Sequence, residues 1–149
     1  MIFIKLNGNS NKMYTTKNHL DQLTYQIIGA AIDVHAQLGP GLLESIYHDC
    51  MKIELETRGI SYKTEMLVPV FYNEIKLETS LRCDLFIENA IVVELKSVKQ
   101  FESIFEAQLI SYMKLLNSPK GILINFNCTN IFKEGQKTLV NELYRTLPD

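Results

Sequence analysis

The chain has 149 residues, 46% of them hydrophobic and 21% charged, a balance that suits one soluble domain with a real core. Its formal net charge of −2 lacks the basic excess usual in nucleic-acid binders, although a local basic patch can sit on an acidic protein. Cys50, Cys83 and Cys128 form no C-x-x-C pair, so they give no support to a zinc ribbon, cannot fill a four-thiolate cluster within one chain, and fit reduced, mostly buried thiols.

Residues 1–17 read as a mobile tail ahead of a single domain over 18–149. "MIFIKL" could form a short strand, but the polar, turn-rich "NGNSNK" follows it. That opening is too short for a signal-peptide core, and no apolar run approaches the ~20 residues of a membrane span. The expectation is a cytoplasmic protein without a membrane partner. From Asn18, Leu20, Leu23, Ile27, Ala31, Val34 and Leu38 recur at helical spacing and predict a long helix, which Gly39-Pro40-Gly41 ends. A second helix is predicted from about Leu42 to Arg58, with Leu43, Ile46, Tyr47 and Cys50 on one face and Gly59 closing it.

Strands follow at 62–72, 75–80, 82–87 and 91–98, with turns at Asn73-Glu74 and Glu88-Asn89-Ala90. Pro69 argues for an edge or a bulge in the first of them. A helix from about Ser103 to Asn117 and a buried strand at 121–126 come next. In the final stretch "QKTLV" suits an edge strand and "VNELYRTL" a short helix. Strands 62–97 should form an antiparallel meander, and the later helix should return 121–126 parallel to a neighbour. The fold class is therefore mixed α/β. An exposed edge strand would permit a homodimer, though nothing in the sequence specifies one.

"IVVELKSV", Ile91–Val98, is the most strand-like segment, yet it carries Glu94 and Lys96. Alternation puts both on one face. The turn at Glu88-Asn89-Ala90 sets Asp84 opposite Glu94, or within one residue of it. Directly opposed side chains have Cβ atoms roughly 4.5–5.5 Å apart. Two carboxylates that close repel, and a divalent cation is the simplest group to hold them. Oxygen ligands favour Mg²⁺ or Mn²⁺ over zinc. Such an ion activates water, and a neighbouring lysine can orient that water or stabilise charge on a phosphoryl group. The three residues thus suggest metal-assisted phosphodiester hydrolysis. The plainer alternative is a solvated strand face on which Lys96 neutralises two acids.

Asp84 followed by Glu94-Leu95-Lys96 resembles the D…(D/E)-x-K signature of the PD-(D/E)XK nuclease superfamily. "GLLESIY" (41–47) is similar to the motif of its GxxExxY branch, with Gly41, Glu44 and Tyr47 in the named positions. "EAQLISYMKL" resembles the Q-x-x-x-Y helix of RecB-like members, through Gln108 and Tyr112. The resemblance spans about 20–140. It implies a restriction-endonuclease-like αβββαβ core with a central mixed sheet, and a Mg²⁺- or Mn²⁺-dependent nuclease acting on DNA through a metal-activated water. It further implies that Asp84, Glu94, the Leu95 carbonyl and Glu44 form the metal shell, that Lys96 serves catalysis, and that Gln108 and Tyr112 position substrate. Two positions depart from the pattern: Cys83 precedes Asp84 where a proline is common, and Thr138 stands where the branch carries an arginine. A nuclease-fold module that binds nucleic acid or protein without efficient catalysis is the second hypothesis.

The remaining residues carry weaker signals. An acid in a helix's first turn, such as Glu44, also offsets the macrodipole. His48 stands four residues after Glu44, a common surface pairing, and none of the three histidines has metal-ligand spacing. Lys99, Lys114, Lys120 and Lys133 could line a phosphate path or be solvated surface.

Overall fold

A computed structural model describes residues 15–149; the expected tail and its short strand fall almost wholly outside them. Helix α1 spans Lys17–Leu38, with the Thr16 hydroxyl accepting from the His19 N–H at its N-terminus. Gly39 ends it at φ +68°, where a side chain would be strained. The predicted apolar face is buried from Leu20 to Val34, but Leu38 is exposed in the last turn. Helix α2 spans Glu44–Thr57. Its buried face is Tyr47, His48, Met51 and Leu55, turned away from the expected one, and Leu43 and Ile46 are exposed. Tyr47 sets that rotation. Its ring stacks on Phe126, with centroids 4.3 Å apart and planes 4° from parallel, and its hydroxyl is hydrogen-bonded to the preceding loop.

Strands β1 (Tyr62–Tyr72), β2 (Ile75–Ile87), β3 (Ile91–Lys96), β4 (Lys120–Asn125) and β5 (Gln136–Val140) form one sheet in the order β1-β2-β3-β4-β5. Every pairing is antiparallel except β3–β4, which is parallel and is joined through the crossover helix α3, Ser103–Leu115. This is the predicted meander and return. The strands expected at 75–80 and 82–87 are instead one continuous strand, because no Gly, Pro or turn dipeptide interrupts it at Leu81. The irregularity that Pro69 implied lies between Pro69 and Phe71, where the register with β2 shifts. Before β5 the chain makes one π-helical turn, Ile131–Gly135, which the sequence did not announce, and a short helix α4, Glu142–Arg145, follows the sheet.

Helices α1 and α2 cover one face of the sheet, and α3 covers the other. Ile91, Val93, Leu95, Leu85 and Ile87 pack with Leu20, Ile27, Tyr47 and Met51. Val92, Phe86, Cys83 and Leu123 pack with Leu109 and Met113 of α3. Strand β3 is therefore apolar on both sides, as a central strand must be. Lys120, at the start of β4, is buried rather than solvated. Its ammonium pairs with Asp21 at 2.7 Å and lies 5.3 Å from the centre of the Tyr144 ring. Among the described residues no helix is long and apolar enough to cross a membrane.

Candidate active site

The β2–β3 hairpin has the register expected from its turn: Ile87 faces Ile91, Phe86 faces Val92 and Leu85 faces Val93. One step further Asp84 and Glu94 would face each other, and there the regular ladder stops. Side chains take over its hydrogen bonds. The Asp84 N–H donates to Glu94 Oε1 at 3.2 Å, and the Leu95 N–H donates to Asp84 Oδ2 at 2.9 Å. The two carboxylates thus replace backbone carbonyls as acceptors and hold each other's strands.

The other neighbour of Asp84 is irregular too. Glu65, between the paired residues Thr64 and Met66, has φ +49° and drops out of the β1–β2 ladder opposite Asp84. Strict alternation would put Cys83 and Leu85 on one face. Instead Cys83 packs on the α3 side and Leu85 on the α1/α2 side. A left-handed residue other than glycine costs of order 1–3 kcal/mol and is concentrated at functional sites. Here it accompanies the point at which Asp84 is turned toward β3.

Glu94 is only 6% exposed. Burial first, and then the charge of Asp84, push its carboxyl well above the ordinary range, against the pull of the Asp84 N–H and Lys96. Tyr112 on α3 is half-buried. It packs against the cluster that includes Cys83, and its phenol is raised by burial first and then by Glu94, Cys83 and Asp84. The Cys83 thiol is raised by burial and by both acids. Glu44 is the first residue of α2. The residue is exposed as a whole, but desolvation raises its carboxyl, Lys96 opposes that, and Asp84 adds to it. Four groups on four elements therefore feel one concentration of negative charge, with Lys96 as the cation inside it.

Asp84 and Glu94 are thus brought together, with Lys96 two residues along β3 and Tyr112 packed on the α3 side beside Cys83, while Glu44 is linked to them only through the electrostatics of its carboxyl. Leu95 contributes its backbone N–H, while its side chain is core. Gln108 lies one turn before Tyr112 on α3 but is exposed, and its side chain has no hydrogen bond among the described residues. Among those residues no three histidine, cysteine or acidic side chains converge closely enough to cage an ion. The donor set still fits a hard divalent ion, because Mg²⁺ commonly keeps several waters and takes only one or two carboxylates from the protein.

Several residues that shape the site were not found by pattern. His48 is buried rather than a surface partner of Glu44. Its Nε2 lies 3.1 Å from the Asp84 carbonyl and 2.9 Å from Thr64 Oγ. The carbonyl accepts from the tautomer that carries its hydrogen on Nε2, and in that form the ring steadies the Asp84 backbone. Ser97, next to Lys96, donates to the Leu42 carbonyl at 2.7 Å. Tyr47 donates to the Gly39 carbonyl at 2.6 Å and accepts from the Leu42 N–H at 3.1 Å. These bonds fix the Gly39–Leu43 loop that delivers Glu44. In "GLLESIY" the glycine adopts φ +92°, the glutamate begins α2, and the tyrosine locks the turn. Spacing alone could have suggested that lock, since Tyr47 lies one helical turn after Glu44.

A family model described as the PD-(D/E)XK nuclease superfamily matches residues 21–139. No curated protein and no solved structure matches the chain.

Proposed function

The chain belongs to the PD-(D/E)XK nuclease superfamily, and from that premise we propose that it is a metal-dependent nuclease that hydrolyses phosphodiester bonds in DNA. We place it in the GxxExxY branch on Gly41, Glu44 and Tyr47. The observation that carries the reading is the opposed, mutually strapped pair Asp84 and Glu94, with Lys96 two residues on.

Asp84 and Glu94 would hold a Mg²⁺ or Mn²⁺ ion, with the Leu95 carbonyl beside them and Glu44 as an outer partner. One oxygen of each carboxylate is fixed by a backbone N–H, and the ion would be held through the carboxylates so oriented. When bound, the ion would neutralise the two acids, grip a phosphate oxygen and acidify a water. Lys96 supplies positive charge where the phosphoryl oxygens gain negative charge. Tyr112 reaches the cluster from α3 and would steer the substrate strand, with Gln108 exposed one turn away to meet it farther out. The apolar walls of Val92, Phe86 and Leu109 lower the local dielectric and strengthen each of these interactions.

The test is cleavage of single- and double-stranded DNA, with RNA alongside, in Mg²⁺ or Mn²⁺ by the wild type, Asp84→Ala and Lys96→Ala. The reading expects metal-dependent cleavage by the wild type alone. Equal background from all three proteins would sink it and favour a binding module on a nuclease fold.

A further inference from the structure

Lys96 follows Leu95, the residue that Asp84 straps, and stands two residues from Glu94. Its charge pulls down the carboxyls of Glu44 and Glu94, yet among the described residues its ammonium makes no ion pair and no side-chain hydrogen bond. What it meets instead is an aromatic face. Lys96 Nζ lies 4.8 Å from the centre of the Phe105 ring, in the first turn of α3. That ring is half-buried and packs against the cluster of Val68, Cys83, Phe86 and Val92, so its position is set by the core and not by the lysine. A flexible four-carbon side chain so close to carboxylates would ordinarily collapse onto one of them. A ring face attracts the ammonium without consuming its three N–H donors.

We propose that Phe105 is a positioning residue: its ring face holds the Lys96 ammonium clear of Glu44, Asp84 and Glu94, and so keeps its donors free for a phosphate. This rests on the nuclease reading for its catalytic consequence, but not for the placement itself. Phe105 needs no contact with substrate or ion. The proposal also gives α3 a second task. The helix that closes the sheet crossover carries Tyr112 toward the acids and, two turns earlier, the perch for the lysine.

Two measurements on the full chain test it. In isotope-labelled protein the Lys96 ε-protons, assigned by comparison with Lys96→Met, should show an upfield ring-current shift. That shift should persist in Phe105→Tyr and vanish in Phe105→Leu, with circular dichroism confirming that each variant is folded. In single-turnover cleavage Phe105→Leu should lower kcat by roughly 3- to 30-fold, the range set by the strength of a cation–π contact. KM should be unchanged, and Phe105→Tyr should restore the rate. A wild-type spectrum without the shift overturns the proposal, as does a Phe105→Leu enzyme that cleaves like the wild type. A wild type that shows the shift but no Lys96-dependent cleavage would support the perch and sink the nuclease reading, so the two failures are told apart.

Discussion

A methyl group added at Gly121 probes how closely α3 must lie on β4 for the site to form. A Cβ there would sit 2.6 Å from Met113 Sδ, 2.9 Å from Leu109 Cδ1 and 3.0 Å from Leu109 Cγ. Comfortable contact between such atoms is about 3.5–4.0 Å, so Gly121→Ala requires a retreat of about 1 Å. Leu109 and Met113 are both buried on the same face of α3, and neither has solvent to move into, so the helix must shift with them. Overpacking of this kind costs about 1–3 kcal/mol. In a chain of this size that lowers the melting temperature by roughly 3–12 °C. The same shift carries Phe105 and Tyr112 away from the acids, and a misplacement near 1 Å can cost up to ~100-fold in rate. The assay is thermal melting together with metal-dependent cleavage, repeated in Met113→Ala and in the double mutant. Met113→Ala alone opens a cavity at a cost of about 2–5 kcal/mol. The new methyl group partly fills that cavity in the double mutant, so the pair should be less destabilising than the sum by at least ~1 kcal/mol. A Gly121→Ala protein that melts with the wild type, or strictly additive effects, would refute the close approach on which this reasoning depends.

Asp21→Asn removes the partner of the buried Lys120 ammonium and should cost about 1–2 kcal/mol, a discounted figure because the Asp21 side chain is 54% exposed and Lys120 keeps the Tyr144 ring. The hydrogen bond from Lys120 holds the Asp21 carboxyl below its ordinary value. Its contribution is therefore present above the unfolded-state pKa of about 3.9 and lost as pH falls through the lower folded value. Acid melts should show the wild type and Asp21→Asn converging only below about pH 4. Tyr47→Phe leaves the Gly39 carbonyl and the Leu42 N–H without their partner; it should cost about 1–3 kcal/mol and lower cleavage further than stability alone explains, read by comparing rates well below the melting temperature. Saturating Mg²⁺ should stabilise the wild type, by about 2.7 kcal/mol at a hundred times Kd, and should leave Glu94→Gln unmoved. Equal thermal shifts in the two proteins would remove Glu94 from the metal shell.

The fold was legible wherever the signal was local. Strand alternation, the turn at Glu88-Asn89-Ala90 and the helix spanning 103–115 fixed the meander, the crossover and even the pairing register around Asp84. Where the sequence misled, a contact from far along the chain decided the outcome. Leu43, Ile46 and Cys50 are as apolar as the residues that α2 buries. What turns α2 toward Tyr47, His48, Met51 and Leu55 is the stack of Tyr47 on Phe126, nearly eighty residues away. Lys120 has the composition of a surface residue until Asp21 and Tyr144, from opposite ends of the chain, converge on it. The single long β2 was expected as two strands, 75–80 and 82–87, but no backbone-breaking residue enforces a division at Leu81.

The site follows the same division, and it explains why a motif can name a catalytic centre without describing it. Asp84, Glu94 and Lys96 lie on one hairpin, so alternation and turn length suffice to bring them together. What makes them usable comes from elsewhere. His48 holds the Asp84 carbonyl from α2, the left-handed Glu65 interrupts the ladder beside it, Ser97 ties the lysine's strand to the loop of Glu44, and Phe105 takes the ammonium from α3. Each of these acts on a backbone group or a ring face, and neither leaves a spacing signature. A buried pair of like charges is unstable by itself. Its persistence here depends on the backbone donors that strap it and on the irregular strand that aims it. On the proposed reading the carboxylates would set which ion and substrate the site takes, while the residues that no motif contains determine whether those carboxylates are held in place.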